Sequence, residues 1–390
     1  MSSMLRVISS MNPSSGGPCQ GIRNTVPALL ELGVNTTVAS LDSPEASFLG
    51  EDDFKIEALG PGKTPYNYSD KLHKWLVLNL LDFDVVIIHG VWLYNSFGTF
   101  KAWQTLTKAG KKTPNIYLMP HGMLDPYFQK AEGRKLKALR NRVFWQLLEK
   151  KVVNGVDGIL FTCEQELILA RTTFPDYHPK QELNVGYGIQ PPPLKTETQL
   201  QAFLKKCPEA KNQSYWLFLS RVHEKKGVDL LIIGYRKLFE KDPEIPILVI
   251  AGPGMETTYG QMLKKLAEDL PVYFTGMLKG AEKWGALYGA DWFILPSHQE
   301  NFGIAVVEAL ACKIPVAISD QVNIWREIDG GNCGVVFTDT LAGVTEGLEQ
   351  IRSHSDVDVA QLKQSAYAVF KNSFTVVQAA NQLIQKLNLN

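Results

Sequence analysis

Residues Phe293–Cys312 read FILPSHQENFGIAVVEALAC, and the reading of this stretch decides the fold. An apolar strand ends at Pro296 and Ser297, a polar loop carries His298, Gln299, Glu300 and Asn301, and Gly303 opens a helical run that contains Glu308. Backbone N–H groups in the first turn of a helix lack intrahelical partners and sit at the positive end of its dipole, so this turn is suited to an anion such as phosphate. Glu300 falls in the loop before the helix and Glu308 more than a turn inside it. The two carboxylates are therefore expected to bind different parts of one elongated ligand.

Around this segment the same alternation recurs. YWLFLSR (215–221), IPILVIAGPG (245–254), PVYFTGM (271–277), DWFILPS (291–297) and IPVAISD (314–320) are short β-rich runs separated by helix-length stretches. A parallel α/β sheet with right-handed crossovers follows from that pattern. After YWLFLS come Arg221, Val222, His223, Glu224, Lys225, Lys226 and Gly227, then the apolar-periodic VDLLIIGYRKLF. Arg221 and Lys226 thus belong to a loop at the carboxyl edge, where a guanidinium can fork two phosphate oxygens and an ammonium can add a point charge.

The first half of the chain carries a second such series: LRVISS, NTTVASL, DVVIIHG (84–90), NIYLMPHG (115–122) and DGILFTCE (157–164). NPSSGGPCQGIRN places Gly16 and Gly17 between the first strand and a helix, as a close-approach loop for a phosphate or sugar or as a plain βα turn. It lacks the G-x-G-x-x-G spacing of a dinucleotide site. His89, His121 and Glu164 stand at carboxyl ends of predicted strands, the edge at which open α/β sheets bind ligands. With Trp92 and Tyr94, His89 and Glu164 are candidates for an acceptor side. Asp82 and Asp84 form a D-x-D, but at the amino end of their strand, so no metal site is expected there. Three consecutive prolines in GIQPPPLK (188–195) mark an extended linker.

Composition narrows the function. The chain has 390 residues, 45% of them hydrophobic, enough for two or three cores. Forty basic and forty acidic side chains cancel, which argues against a nucleic-acid partner. The five cysteines have neither C-x-x-C nor zinc spacing, as expected of single thiols in a reducing cytosol. No run approaches the ~20 apolar residues of a spanning helix, so a cytoplasmic protein is expected, at most peripheral to the inner face of the plasma membrane. Residues 130–151 hold eight Lys or Arg against two Glu. There Leu136, Leu139, Val143 and Leu147 at helical spacing predict an amphipathic helix with that stripe buried. Such a helix can lie on an anionic bilayer, although charges spread around its polar arc also fit a solvated face.

SRVHEKKG (220–227) followed by FILPSHQENFGIAVVEALACKIPVAIS (293–319) is similar to the signature of the family 4 retaining glycosyltransferases. In that family an Arg is followed five residues later by a Lys, and E-x7-E with F-G lies between the acids. Here these are Arg221, Lys226, Glu300, Glu308, Phe302 and Gly303. The resemblance also covers AGPG and VYFTGML, and more loosely the Gly16-Gly17 loop and His121. It implies the GT-B fold, two facing Rossmann-like domains with a donor cleft: residues 1–190 on the acceptor side, 191–372 on the nucleotide-sugar side, and 373–390 as a helix returning to the first domain. It further implies that Arg221 and Lys226 neutralise the donor diphosphate, that the Gly303 and Ile304 amides contact it, and that Asn301 and Phe302 belong to the same donor loop. Glu308 would hold the ribose, Glu300 the transferred sugar, Met277 would border the base, and His121 would meet the sugar. His223 stands where the family usually has Pro, and Lys225 is an extra charge.

The resemblance to bacterial and cyanobacterial exopolysaccharide transferases implies retention with no metal and no cofactor. It also implies a UDP-hexose such as UDP-glucose as donor and a saccharide or lipid-linked saccharide as acceptor. A hydrolase is disfavoured, because positions eight apart on a helix are separated by about 12 Å of rise, beyond the roughly 5 to 9.5 Å of paired glycosidase carboxylates. A silent nucleotide-sugar-binding scaffold or sensor is the alternative.

Overall fold

The computed structural model describes residues 1–389, with Glu132 through its backbone alone. Two compact units are formed, Met1–Gly188 with the chain from Val376 onward, and Ile189–Thr375. In the first, strands β1 (Ser2–Ile8), β2 (Val34–Ser40), β3 (Lys55–Ala58), β4 (Val85–His89), β5 (Asn115–Met119), β6 (Gly158–Phe161) and β7 (Glu182–Asn184) pair in the order β3-β2-β1-β4-β5-β6-β7. The pairing is parallel throughout, with Val7 opposite both Ala39 and Ile88.

In the second unit, β8 (Tyr215–Leu219), β9 (Ile247–Ala251), β10 (Val272–Gly276), β11 (Trp292–Leu295), β12 (Val316–Ser319) and β13 (Gly334–Phe337) pair in the order β10-β9-β8-β11-β12-β13. All of these pairs are parallel as well. The central strands are continuous apolar runs buried along their length, because helices cover both faces of a parallel sheet. Both units are thus Rossmann-like. In each, strand order reverses beside the first strand, between β1 and β4 and between β8 and β11. A crevice opens there outside the carboxyl ends, and ligands of open α/β sheets bind in it.

The Val376–Leu387 helix packs Ala380, Leu383 and Leu387 into the first unit's core with Met4, Leu29, Val85 and Ile87. Its buried positions recur every three or four residues, the spacing of one helical face. The five cysteines are free and buried. No helix among the described residues is long and apolar enough to cross a membrane.

The 130–151 segment overturns its expectation. It is not one uniform helix: a 3-10 turn at Glu132–Arg134 leads into an α-helix at Lys135–Phe144, a π-helical turn at Trp145–Glu149 and a last α-turn at Lys150–Val153. The stripe expected inside is outside, with Leu136 85%, Leu139 59%, Val143 48% and Leu147 60% exposed. Ala138, Asn141, Trp145, Glu149, Val152 and Val153 face the core instead. The physical reason lies in two anchors on that face. Trp145 stacks on Phe174 with centroids 4.3 Å apart and planes 9° from parallel. The Glu149 carboxylate accepts from the Trp92 amide at 3.1 Å and the Ser96 hydroxyl at 2.7 Å. A large aromatic and a hydrogen-bonded buried acid fix the rotation of the helix, whereas periodicity alone could not choose between two faces that both carry apolar groups.

Candidate functional site

At the second unit's switch point, the loop after β8 meets the loop after β11. Val222 N–H donates to Pro253 O at 2.8 Å, and Ser220 N–H to Ala251 O at 3.1 Å, so the backbone on either side of Arg221 is tied to the AGPG turn. Arg221 itself is exposed at the edge. Glu224–Lys226 form a single 3-10 turn capped by His223, whose Nδ1 accepts from the Lys225 amide at 3.1 Å. His223 thus fixes the turn by a hydrogen bond. Gly227 ends it at φ 62°, and a Cβ there would lie 2.1 Å from Pro296 O. Only glycine lets the two loops approach this closely.

That approach buries Lys226 and brings its ammonium onto the Glu300 carboxylate. Burial by itself would push the Glu300 carboxyl up. The Lys226 charge and hydrogen bond, together with the Lys225 charge and the Asn301 amide, outweigh it and leave the group below the usual glutamate range. Glu300 is also held through its backbone, its N–H donating to Gln321 O and its C=O accepting from Asn323 N–H. His298 joins both loops, its amide donating to Lys225 O at 2.9 Å and its Nδ1 lying 2.6 Å from Asp339 Oδ1. The hydrogen bond to Asp339 raises the His298 pKa.

Gly303, at φ 76°, is the N-cap of the Ile304–Ala311 helix. The Val306 and Val307 amides already donate to Gly303 O. The amides of Gly303, Ile304 and Ala305 therefore precede the helix's own bonding and form its anion-facing end. Asn301 and Phe302 lie in the turn before it, with Phe302 buried and edge-on to Phe374 at 5.6 Å. Inside the helix Glu308 pairs with Lys283 at 2.6 Å, both side chains mostly buried. Met277 follows β10 and is 54% exposed. Arg221, Lys226, Glu300, Gly303, Ile304 and Glu308 thus belong to neighbouring carboxyl-edge elements of one sheet. Lys283, His298 and Asp339 were not singled out as site residues from sequence. Each contact spans tens of residues, and only folding makes it.

In the first unit Gly16, at φ 90°, caps the Gly17–Glu31 helix, and Tyr187 Oη donates to Gly17 O at 2.8 Å. His89 ends β4 and is buried, its Nδ1 2.8 Å from Nε2 of His121. The rings are stacked at 5.1 Å. They line a cavity of about 30 Å³ with Arg6 and Tyr187. Burial, and then the charges of His121 and Arg6, hold His89 well below its ordinary value; burial and Arg6 bring His121 down to about 3. Both imidazoles are therefore neutral near pH 7, fit to share a hydrogen bond and to exchange one with a hydroxyl.

The turn carrying His121, itself at φ 53°, is fixed by Glu166, which accepts from the Gly122 amide and from Thr162. Glu164, the acid singled out from sequence, is exposed two residues earlier. Trp92, at φ 75°, packs edge-on against Phe174, and Tyr94 is buried in the core cluster beside Tyr66 and Tyr68. At the opposite edge Asp84 Oδ2 accepts from the Ser3 amide and hydroxyl, both at 2.8 Å. Among the described residues no group of three or more His, Cys, Asp or Glu side chains has the arrangement of a metal site.

Residues 201–355 match the family model described as Glycosyl transferases group 1. The mannosylfructose-phosphate synthase of Agrobacterium fabrum is 33% identical over 123 residues, 30% of this chain and 27% of that protein. The alpha-monoglucosyldiacylglycerol synthase of Streptococcus pneumoniae is 27% identical over 241 residues, 58% of this chain and 52% of that protein. The chain thus spans between about a quarter and a half of the length of these relatives. Among solved structures, HepE of Anabaena, in complex with UDP and glucose, superimposes with a TM-score of 0.71 at 16% identity, covering 100% of each chain. This last likeness speaks to the fold. With the Arg221–Lys226 loop, Glu300 and the Gly303 helix all inside the matched segment, residues 201–355 are a glycosyl transferases group 1 domain, carried by a chain of two Rossmann-like units of the GT-B type.

Proposed function

We propose that the protein is a retaining glycosyltransferase that moves a hexose from a nucleotide sugar, with UDP-glucose or a similar UDP-hexose favoured, onto a saccharide or lipid-linked saccharide in polysaccharide synthesis at the cytoplasmic side of a membrane. The observation that carries the reading is the Lys226–Glu300 pair beside the amino end of the Ile304–Ala311 helix. It sets a buried cation and a helix N-terminus at one sheet edge, which suits a diphosphate, with a carboxylate next to them for sugar hydroxyls.

Departure of the nucleotide leaves negative charge on the diphosphate oxygens and an oxocarbenium-like sugar. Arg221, Lys226 and the Gly303 and Ile304 amides stabilise the leaving group electrostatically, the part that a divalent metal plays elsewhere, so a chelator should leave turnover unchanged. Glu308, its charge balanced by Lys283, holds the ribose; Asn301, Phe302 and Met277 complete the donor side. Glu300 holds the transferred sugar, and the departing phosphate takes the acceptor's proton. His121, kept neutral by burial and Arg6, serves as a hydrogen-bonding partner for the sugar rather than as a cation. The Gly16-Gly17 turn, His89, Trp92 and Glu164 are the first unit's remaining candidates, whereas the core position of Tyr94 favours a packing role for it.

The test is incubation with UDP-glucose, GDP-mannose and UDP-N-acetylglucosamine, following nucleotide release with and without saccharide acceptors. Acceptor-stimulated release from a UDP-hexose is expected. Binding without release from any donor would replace the enzyme by a nucleotide-sugar-binding scaffold or sensor.

A further inference from the structure

We infer that the Lys135–Val153 helical segment is a docking surface for an anionic lipid bilayer, seated through a crest of Leu136, Leu139, Val143 and Leu147. At 3.6 residues per turn Leu136, Leu139 and Val143 fall within about 60° of one another, and all four side chains are between 48% and 85% exposed. A row of four aliphatic side chains on the outer face of one helical segment, three on the Lys135–Phe144 α-helix and Leu147 on the π-helical turn after it, is not the scatter of single apolar residues found on any surface. Nor is the helix loosely held. Trp145 and Glu149, on the face turned the other way, are 1% and 0% exposed and anchored to Phe174, Trp92 and Ser96. The crest is therefore a fixed feature of the first unit.

Charge selects the occupant. Between Gly133 and Leu148 the chain has Arg134, Lys135, Lys137, Arg140 and Arg142 and no Asp or Glu. Lys135 and Lys137 stand about 100° to either side of Leu136, Arg140 borders the crest, and Arg142 lies beyond it. Long basic side chains beside an apolar row can extend to lipid phosphates while their stems and the leucines enter the acyl boundary. A second copy of the chain is a poor occupant, because a two-fold contact through this face would set one basic cluster against another. This inference is independent of the donor chemistry, since lipid binding needs no nucleotide sugar.

The full chain is tested by flotation with phosphatidylcholine vesicles and with vesicles of phosphatidylcholine and phosphatidylglycerol, at low and high salt, without donor. Flotation with the anionic vesicles alone, weakening with salt, is expected. Leu136→Gln/Leu139→Gln/Val143→Gln keeps every charge and should bind at least tenfold more weakly, whereas Lys135→Gln/Lys137→Gln keeps the crest and should lose about fivefold per residue. The substituted positions are exposed, so thermal melts by circular dichroism should match the unsubstituted protein. The inference is overturned if the chain stays unbound to anionic vesicles at low salt. It is overturned equally if the crest variant floats as well as the parent, or if sedimentation shows a crest-dependent dimer in place of lipid binding.

Discussion

Replacing Lys226 by Met removes the ammonium that faces Glu300 and leaves the carboxylate with burial but without its compensating charge. The Lys226 side chain is 6% exposed and that of Glu300 26%. Breaking a buried pair by removing one partner costs about 3–5 kcal/mol, and the partial exposure of Glu300 places this case at or below the lower end, about 2–3 kcal/mol near pH 7.5. For a unit of this size that is a fall of about 5–10 °C in melting temperature, read by scanning calorimetry as the transition of the second unit. The pH dependence carries the sign. In the unsubstituted protein the Glu300 pKa is lowered on folding, so its contribution is present above the unfolded value near 4.3 and is lost as pH falls through the lower folded value. Without Lys226, burial dominates, the folded pKa rises above the unfolded one, and the variant's deficit shrinks as Glu300 takes up a proton. The gap between the two proteins should therefore be wide at pH 7.5 and narrow at pH 4.5. Adding Glu300→Gln to the variant should recover about 2 kcal/mol relative to the sum of the two single changes. A gap of equal size at both pH values, or strict additivity, would refute the reasoning.

Three further outcomes follow from the same geometry. Gly227→Ala places a Cβ 2.1 Å from Pro296 O at φ 62°, so the loops after β8 and β11 must separate. A loss of about 2–3 kcal/mol in stability is expected, with donor binding, measured by calorimetry, weakened along with it. Glu149, raised by burial to about 7, should contribute stability below its unfolded value that is lost as pH rises through 7. Glu149→Gln should therefore melt above the parent at pH 9, by up to about 3 kcal/mol, and the advantage should vanish by pH 5. Lys283→Ala leaves Glu308 unpaired at 14% side-chain exposure. It should raise KM for the donor about tenfold with a small change in kcat, the pattern of lost ground-state binding.

The local order of this chain was legible because its signals are local. Strand runs such as DWFILPS and DVVIIHG, the Gly303 helix start, the Arg221-to-Lys226 interval and the Glu300-to-Glu308 interval are each set within about ten residues of themselves. Backbone propensity and apolar periodicity operate on that scale. Two parallel α/β series and a carboxyl-edge site follow from them.

What the tertiary structure alone decided is what long-range packing controls. It turned the Leu136–Leu147 stripe outward, because Trp145 and Glu149 found Phe174, Trp92 and Ser96 on the other side. It joined Lys226 to Glu300 across 74 residues, Lys283 to Glu308 across 25 and His89 to His121 across 32. Sequence determined which residues stand at the ends of strands and starts of helices, since those are properties of the local chain. Which of them meet, which face of a helix is buried, and hence which charges are compensated, depends on strand order and on the close approach of loops that only the folded sheets supply.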